Sequence, residues 1–268
     1  MLPPTAIRSD YRLKVEQLLT LSELEPILAE LGTMRKSIPI QECEETLKEL
    51  PREKFSFEYP HPYKSVGATY GEYSPFHVRH GVLQRLLEAQ EWLNEERPGH
   101  KLHIFDAYRP VSVQAYMVNF TREQVAIAQG FQPETLTAAQ EQQVMNEVFK
   151  LWAKPSIDPT QPPPHSTGSA IDLSIVDEHG VLLDMGSAFD ELSDRMLPHY
   201  YRNDTSAHAQ KIHDHRECLN RVMTRAGFMR LTHEWWHFSY GDQTWALLKQ
   251  MIEGDHQPHA HYGAISEK

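Results

Sequence analysis

Two stretches of this 268-residue chain carry residues whose types and spacing can do chemistry. The first is Pro162-Pro163-Pro164-His165-Ser166-Thr167-Gly168-Ser169-Ala170-Ile171-Asp172-Leu173. A proline run fixes φ and removes backbone donors, so His165 is presented from a stiff backbone. Gly168 allows a sharp turn. Asp172 then falls beside Ala170, Ile171, Leu173 and Ile175, which read as core. A carboxylate so placed is costly unless it is paired or bound to a metal. The competing reading of this stretch is a turn whose His165 and Asp172 face water. The second stretch, His233-Glu234-Trp235-Trp236-His237-Phe238, tips the comparison toward a metal site.

His233-Glu234-x-x-His237 fits two metal templates. In one, both histidines lie on a single helix face and bind zinc while Glu234 acts as general base. That template needs a helix, and the run of two tryptophans followed by Phe238 and Tyr240 suits a strand better. Its extended form also requires a glycine where Tyr240 stands. In the other template only Glu234 and His237 belong to the site, and His165 and Asp172 complete it. Two imidazoles and one carboxylate then leave an open position for water, as a catalytic zinc site requires. Residues 234 and 237 would point to opposite faces of a regular strand. The second template therefore predicts a bulge or a strand end near Trp235-Trp236.

Four segments in order, DAYRP (residues 106–110), HSTGSAID (165–172), MGSAFD (185–190) and EWWHF (234–238), resemble the D-alanyl-D-alanine dipeptidases of the VanX type. These belong to the wider zinc D-Ala-D-Ala metallopeptidase group. The resemblance runs from about residue 60 to about residue 240, and four ordered motifs are far more specific than any one. It implies one zinc ion per chain, held by His165, Asp172 and His237. It implies Glu234 as general base and acid, and Arg109 as the group that polarises the scissile carbonyl and steadies the oxyanion. Asp190 matches the residue that holds the substrate's free ammonium, and Tyr63 a substrate-lining tyrosine. The plain alternatives are a surface Arg109 paired with Asp106 and an Asp190 that merely caps a helix. One departure bears on the substrate. Members of the group carry two serines directly before the first histidine, thought to bind the substrate carboxylate, where this chain has Pro163 and Pro164. Ser166, Thr167 or nearby backbone N–H groups are the expected replacements.

The elements that must position these residues follow from periodicity. Helices are expected over residues 11–31, 77–94, 112–129, 134–152, 206–226 and 243–253. Strands are expected at 102–105 and 170–176, with Val181-Leu182-Leu183 pairing back as a hairpin. Phe228 to Tyr240 is aromatic-rich and bounded by Gly227 and Gly241. Helices and strands mix without strict βαβ alternation, which favours an α+β fold. The expected organisation is an N-terminal helical extension (residues 1–55), one catalytic domain with a central, mostly antiparallel sheet flanked by helices (56–253), and a loose polar tail (254–268). Among the 16 histidines, His213 and His215 read as exposed helix residues, and the tail histidines His256, His259 and His261 as at most adventitious ligands.

The totals bound the partners. A formal charge of −11 argues against nucleic acid or an anionic membrane. No segment approaches about 18 uninterrupted apolar residues. Cys43 and Cys218 make no CxxC pair, and the N-terminus lacks a basic segment followed by an apolar run, so a reducing, cytoplasmic setting is expected. No feature assigns an oligomeric state. The leading expectation is zinc-dependent hydrolysis of a free D,D-dipeptide such as D-Ala-D-Ala. The alternatives are a D,D-carboxypeptidase or endopeptidase on cell-wall peptides, and a non-catalytic zinc-binding module.

Overall fold

The computed structural model describes residues 20–254 and 257–266. Helix α1 (Leu21–Arg35) is followed by β1 (Leu47–Glu49), β2 (Ser56–Phe57), the short α2 (Pro62–Ser65) and β3 (His77–Arg79). Next come α3 (His80–Glu96), β4 (Lys101–Asp106), α4 (Val111–Ala128) and α5 (Ala138–Leu151). A 3-10 turn (Pro164–Thr167) leads into β5 (Ala170–Val176), and α6 (Ala207–Arg225), β6 (Met229–Arg230), β7 (His237–Ser239) and α7 (Gln243–Glu253) complete the chain. The expected start of the first helix at residue 11 lies outside the described residues, as does His256. No helix among the described residues is long and apolar enough to cross a membrane.

Five strands form the central sheet in the order β2-β4-β5-β7-β6. Only β2 and β4 are parallel; the remaining pairs are antiparallel. The fold is α+β. β5 is buried along its whole length, and its alternation sorts the side chains. Ile171, Leu173 and Ile175 join the main core with Leu102 and Ile104 of β4 and with Val82, Leu86, Leu219 and Val222 of the packed helices α3 and α6. Asp172 falls on the opposite face, because successive residues of a strand alternate.

Register then brings the polar residues together. Asp172 is the cross-strand partner of His237. On the other side it pairs with Asp106, across an irregularity between Ile104 and Asp106. Directly opposed residues share a face and stand close, so one row runs Asp106, Asp172, His237. β7 begins only at His237. Glu234 therefore lies outside the strand, in the segment where Leu231 N–H donates to His237 O at 2.9 Å and Trp236 O accepts from Leu173 N–H at 3.1 Å. The aromatic stretch 228–240 is thus two short strands joined by an irregular turn, and the strand end that the second template needs stands there.

The described residues before 56 and after 254 are built into the body. β1 pairs with β3, and α1 packs on α7. Arg79 is buried and donates to the carbonyls of Thr167, Glu45 and Gly263. The segment expected to be a loose tail bridges Ala260 to Ile40, buries Tyr262 and donates Ile265 N–H to Ser166 O at 3.0 Å. Its polar composition hid these contacts because they are made mostly through backbone. His215 is a second correction: it is buried on the inner face of α6, with Nδ1 at 2.8 Å from Asp184 O.

Candidate metal centre and active site

The 3-10 turn brings His165 beside the Asp172–His237 pair. His165 Nε2 lies 3.1 Å from Asp172 Oδ2, and His237 Nδ1 lies 2.9 Å from Asp172 Oδ1. The two ring nitrogens are 3.3 Å apart. All three residues are buried, and their donor atoms form a group that could hold a metal ion. The outer nitrogens fit that role. His165 Nδ1 donates to Ala107 O at 2.7 Å, which leaves a lone pair on Nε2. His237 Nε2 faces the Ser239 hydroxyl at 3.4 Å, which leaves Nδ1 to the centre. Burial disfavours charge on Asp172 and on His237. Their mutual attraction, with that of His165, overrides it: Asp172 is held far below the carboxylate range and His237 is raised. His233 stands apart from these donors, 3.4 Å from Glu234 Oε1. The helical template is therefore not met.

Glu234 reaches the centre from the irregular turn, with Oε2 3.8 Å from His237 Nδ1. Arg109 follows the end of β4 and is 5% exposed, not a surface residue. Its Nε donates to Asp106 Oδ2 (2.8 Å), its Nη1 to Gln114 Oε1 (2.9 Å), and its Nη2 to the Tyr63 hydroxyl (3.0 Å) and Asp172 Oδ2 (3.4 Å). The guanidinium also lies against the rings of Tyr63 and Trp152. Both the pairing with Asp106 and the aim at the centre are thus real. Burial opposes the charge of Asp106, but Arg109, the hydrogen bond to His61 and His165 together outweigh it and hold that carboxyl below its ordinary value.

Asp190 caps no helix. It sits at φ +57°, the left-handed region that non-glycine residues rarely adopt. It accepts a hydrogen bond from Tyr63 at 2.9 Å. Burial pushes its carboxyl up to about 8, because the attraction of Arg109 and the Tyr63 hydrogen bond do not offset it and Asp172 and Glu234 add like charges.

His165, Asp172, His237, Glu234, Arg109 and Asp190 all line one cavity of about 840 Å³. Tyr63, Ser166 and Thr167 do not. Tyr63 is buried behind Asp190 as the link to Arg109. The Ser166 hydroxyl donates to Arg109 O at 2.8 Å, and the Thr167 hydroxyl to Pro164 O at 2.6 Å. Neither hydroxyl is free for a ligand, which corrects their expected role as carboxylate binders. Of the supports of Arg109, sequence reasoning named Asp106 only as a surface partner and missed Gln114 and Trp152. Only Asp106 had a signal, as the charged residue ending a buried strand. Sequence reasoning expected α1 but missed its place at the site, where Leu28, Leu31 and Arg35 form part of the cavity wall.

Comparison with known proteins agrees with this geometry. Residues 57–258 match the family model described as D-ala-D-ala dipeptidase. A D-alanyl-D-alanine dipeptidase of Synechocystis sp. is 42% identical over 235 residues, covering 85% of this chain and 95% of the relative. The enzyme of the same name from Escherichia coli is 39% identical over 118 residues, 42% of this chain and 58% of that protein. One from Enterococcus faecalis is 29% identical over 163 residues, covering 60% and 72%.

Proposed function

The chain belongs to the D-ala-D-ala dipeptidase family of peptidases, and from that premise we propose that it hydrolyses a free D,D-dipeptide such as D-Ala-D-Ala, with one zinc ion held by His165, Asp172 and His237. The observation that carries this reading is the pairing of two features in one cavity: a buried His-Asp-His donor set and, apart from it, the buried carboxyl of Asp190, held by Tyr63.

Zinc held by His165, Asp172 and His237 would supply a Lewis acid and would lower the pKa of a bound water toward neutral. The chain's own residues supply the rest. A Glu234 carboxylate oxygen takes the proton from the attacking water and returns it to the leaving amine. Arg109 Nη2, fixed by Asp106 and Tyr63, presents positive charge to the scissile carbonyl oxygen as it becomes an oxyanion. Because Gln114, Tyr63 and Trp152 already hold the guanidinium, little reorganisation is needed during reaction. Asp190, backed by Tyr63, takes the substrate's ammonium. That contact fixes the amino end and selects a substrate whose N-terminus is free.

In this reading residues 56–253 form the catalytic domain and the protein works in the cytoplasm, in keeping with two unpaired cysteines. The alternative, a D,D-carboxypeptidase on longer peptides, draws support from the cavity volume, which exceeds what a dipeptide fills. Asp190 weighs against it, since an acylated amino group brings no charge to a buried carboxylate. Turnover by purified, zinc-loaded protein of D-Ala-D-Ala, D-Ala-L-Ala and N-acetyl-D-Ala-D-Ala tests the proposal. The expected result is rapid cleavage of the free D,D-dipeptide alone. Preference for the acetylated peptide would assign a carboxypeptidase.

A further inference from the structure

A free dipeptide is a zwitterion, so a site that grips its ammonium leaves a carboxylate to be met at the other end. We propose that Arg35, at the last turn of α1, is the residue that binds the C-terminal carboxylate of the substrate. The assignment rests on the dipeptidase reading above and adds to it a specificity residue from outside the family segment, which begins at residue 57.

The hydroxyl groups near the metal donors are already engaged. Pro163 and Pro164 offer neither a hydroxyl nor an N–H, and Ser166 and Thr167 donate to backbone carbonyls. Of the other cations on the cavity wall, Lys36 is exposed to solvent and the remaining ones are engaged. Arg109 is bound by Asp106, Gln114, Tyr63 and Asp172. Lys150 is paired with Glu25 at 3.2 Å and Glu147 at 3.0 Å. Lys154 lies against the Phe149 ring.

Arg35 differs from all of these. It lines the same cavity as the metal donors, and its Nη1 donates to Pro162 O at 3.2 Å. That hydrogen bond is made just before the Pro163-Pro164-His165 run, where the two serines would stand. Among the described residues no carboxylate lies within 4 Å of Arg35, the charge of Asp242 acts on it only from farther away, and no hydrogen-bond partner of its Nε or Nη2 is found there. A partly buried guanidinium with an unused pair of N–H groups is a receptor for a carboxylate in planar, two-point geometry. α1 is held in place to present it. Thr20 and Glu23 form a capping box at its start, Leu21 N–H donates to Asp194 Oδ1 at 2.9 Å, and the helix packs on α7. Arg35 and Asp190 would then read the two ends of one dipeptide, on opposite sides of the Glu234 and metal-donor chemistry.

The test compares kcat/KM for D-Ala-D-Ala and its C-terminal amide in zinc-loaded wild type, Arg35→Gln and Arg35→Lys. Arg35→Gln removes a charge-assisted hydrogen bond at one end of the substrate only. It should therefore slow the free acid by about 10–100-fold, chiefly through KM, and leave the amide nearly unchanged. Arg35→Lys should retain part of the preference. The acid-to-amide ratio is measured within one preparation, so it does not depend on how much of a variant folds. If Arg35→Gln yields no folded protein, Arg35→Lys decides: a partial fall in the ratio supports the assignment and an unchanged ratio overturns it. Equal slowing of both substrates, or no slowing, also overturns it. A wild-type protein that leaves D-Ala-D-Ala intact overturns the dipeptidase reading and this assignment together, whereas an active wild type whose preference survives Arg35→Gln overturns this assignment alone.

Discussion

Replacing Asp190 by Asn isolates the charge that the substrate's ammonium meets. The substitution keeps the size of the side chain, and Asn is among the residues that best tolerate the left-handed backbone found here at φ +57°. The Tyr63 hydroxyl, 2.9 Å away, can still donate to the amide oxygen. What disappears is the negative charge. Leaving one member of a buried ion pair without its partner costs about 3–5 kcal/mol. At about 1.36 kcal/mol per tenfold, that is roughly two to nearly four orders of magnitude in kcat/KM. The same loss is expected in wild type when the substrate is acetylated, since acetylation removes the positive charge and adds bulk at that spot. N-acetyl-D-Ala-D-Ala should therefore react at least about a hundredfold more slowly than D-Ala-D-Ala. In Asp190→Asn the free dipeptide should slow by a similar factor and the blocked one little, so that the two rates converge. Steady-state kinetics on the four combinations is sufficient. Comparable kcat/KM for free and blocked dipeptides in wild type would refute the reasoning and leave a carboxypeptidase.

Glu234→Ala should retain bound metal and lose about 10²–10⁴-fold in turnover, because it removes proton transfer but no ligand; equal loss of metal would make Glu234 a ligand. In the metal-free protein burial pushes the Asp190 carboxyl up to about 8, against about 3.9 for an exposed aspartate. The folded state therefore holds a proton that the unfolded chain releases, and this contribution to stability is present at low pH and lost as pH rises toward 8. Thermal melts of metal-free wild type and Asp190→Asn between pH 5 and 9 should show the wild type losing stability more steeply; parallel slopes would contradict the assignment of that proton to Asp190.

The metal-bearing elements were legible because their signals are local. The β-branched run of β5 is bounded by Gly168 and by a polar turn at Asp177, and strand 170–176 forms as expected. The paired tryptophans argued against a helix at His233, and the strand indeed starts only at His237. What escaped detection depends on contacts between residues far apart in the chain. Nothing near Arg35 signals that its helix ends beside Pro162, 127 residues later. The burial of Tyr262 rests on Glu45, 217 residues away. His215 alternates with polar neighbours on α6, and only the carbonyl of Asp184 explains why it faces inward. Ser166 and Thr167 show a different effect: residue type suggested ligand binding, but the carbonyls of Arg109 and Pro164 take the two hydroxyls.

The central claim is that His165, Asp172 and His237 hold one zinc ion on which dipeptide cleavage depends. Metal analysis of purified wild type and single alanine variants, with D-Ala-D-Ala turnover measured on the same samples, tests it most directly. The account predicts one zinc per chain in wild type, loss of most of it in His165→Ala, Asp172→Ala and His237→Ala, retention in His233→Ala, and turnover that follows the zinc content. Loss of metal in His233→Ala with retention in Asp172→Ala would contradict it and return the site to the helical template.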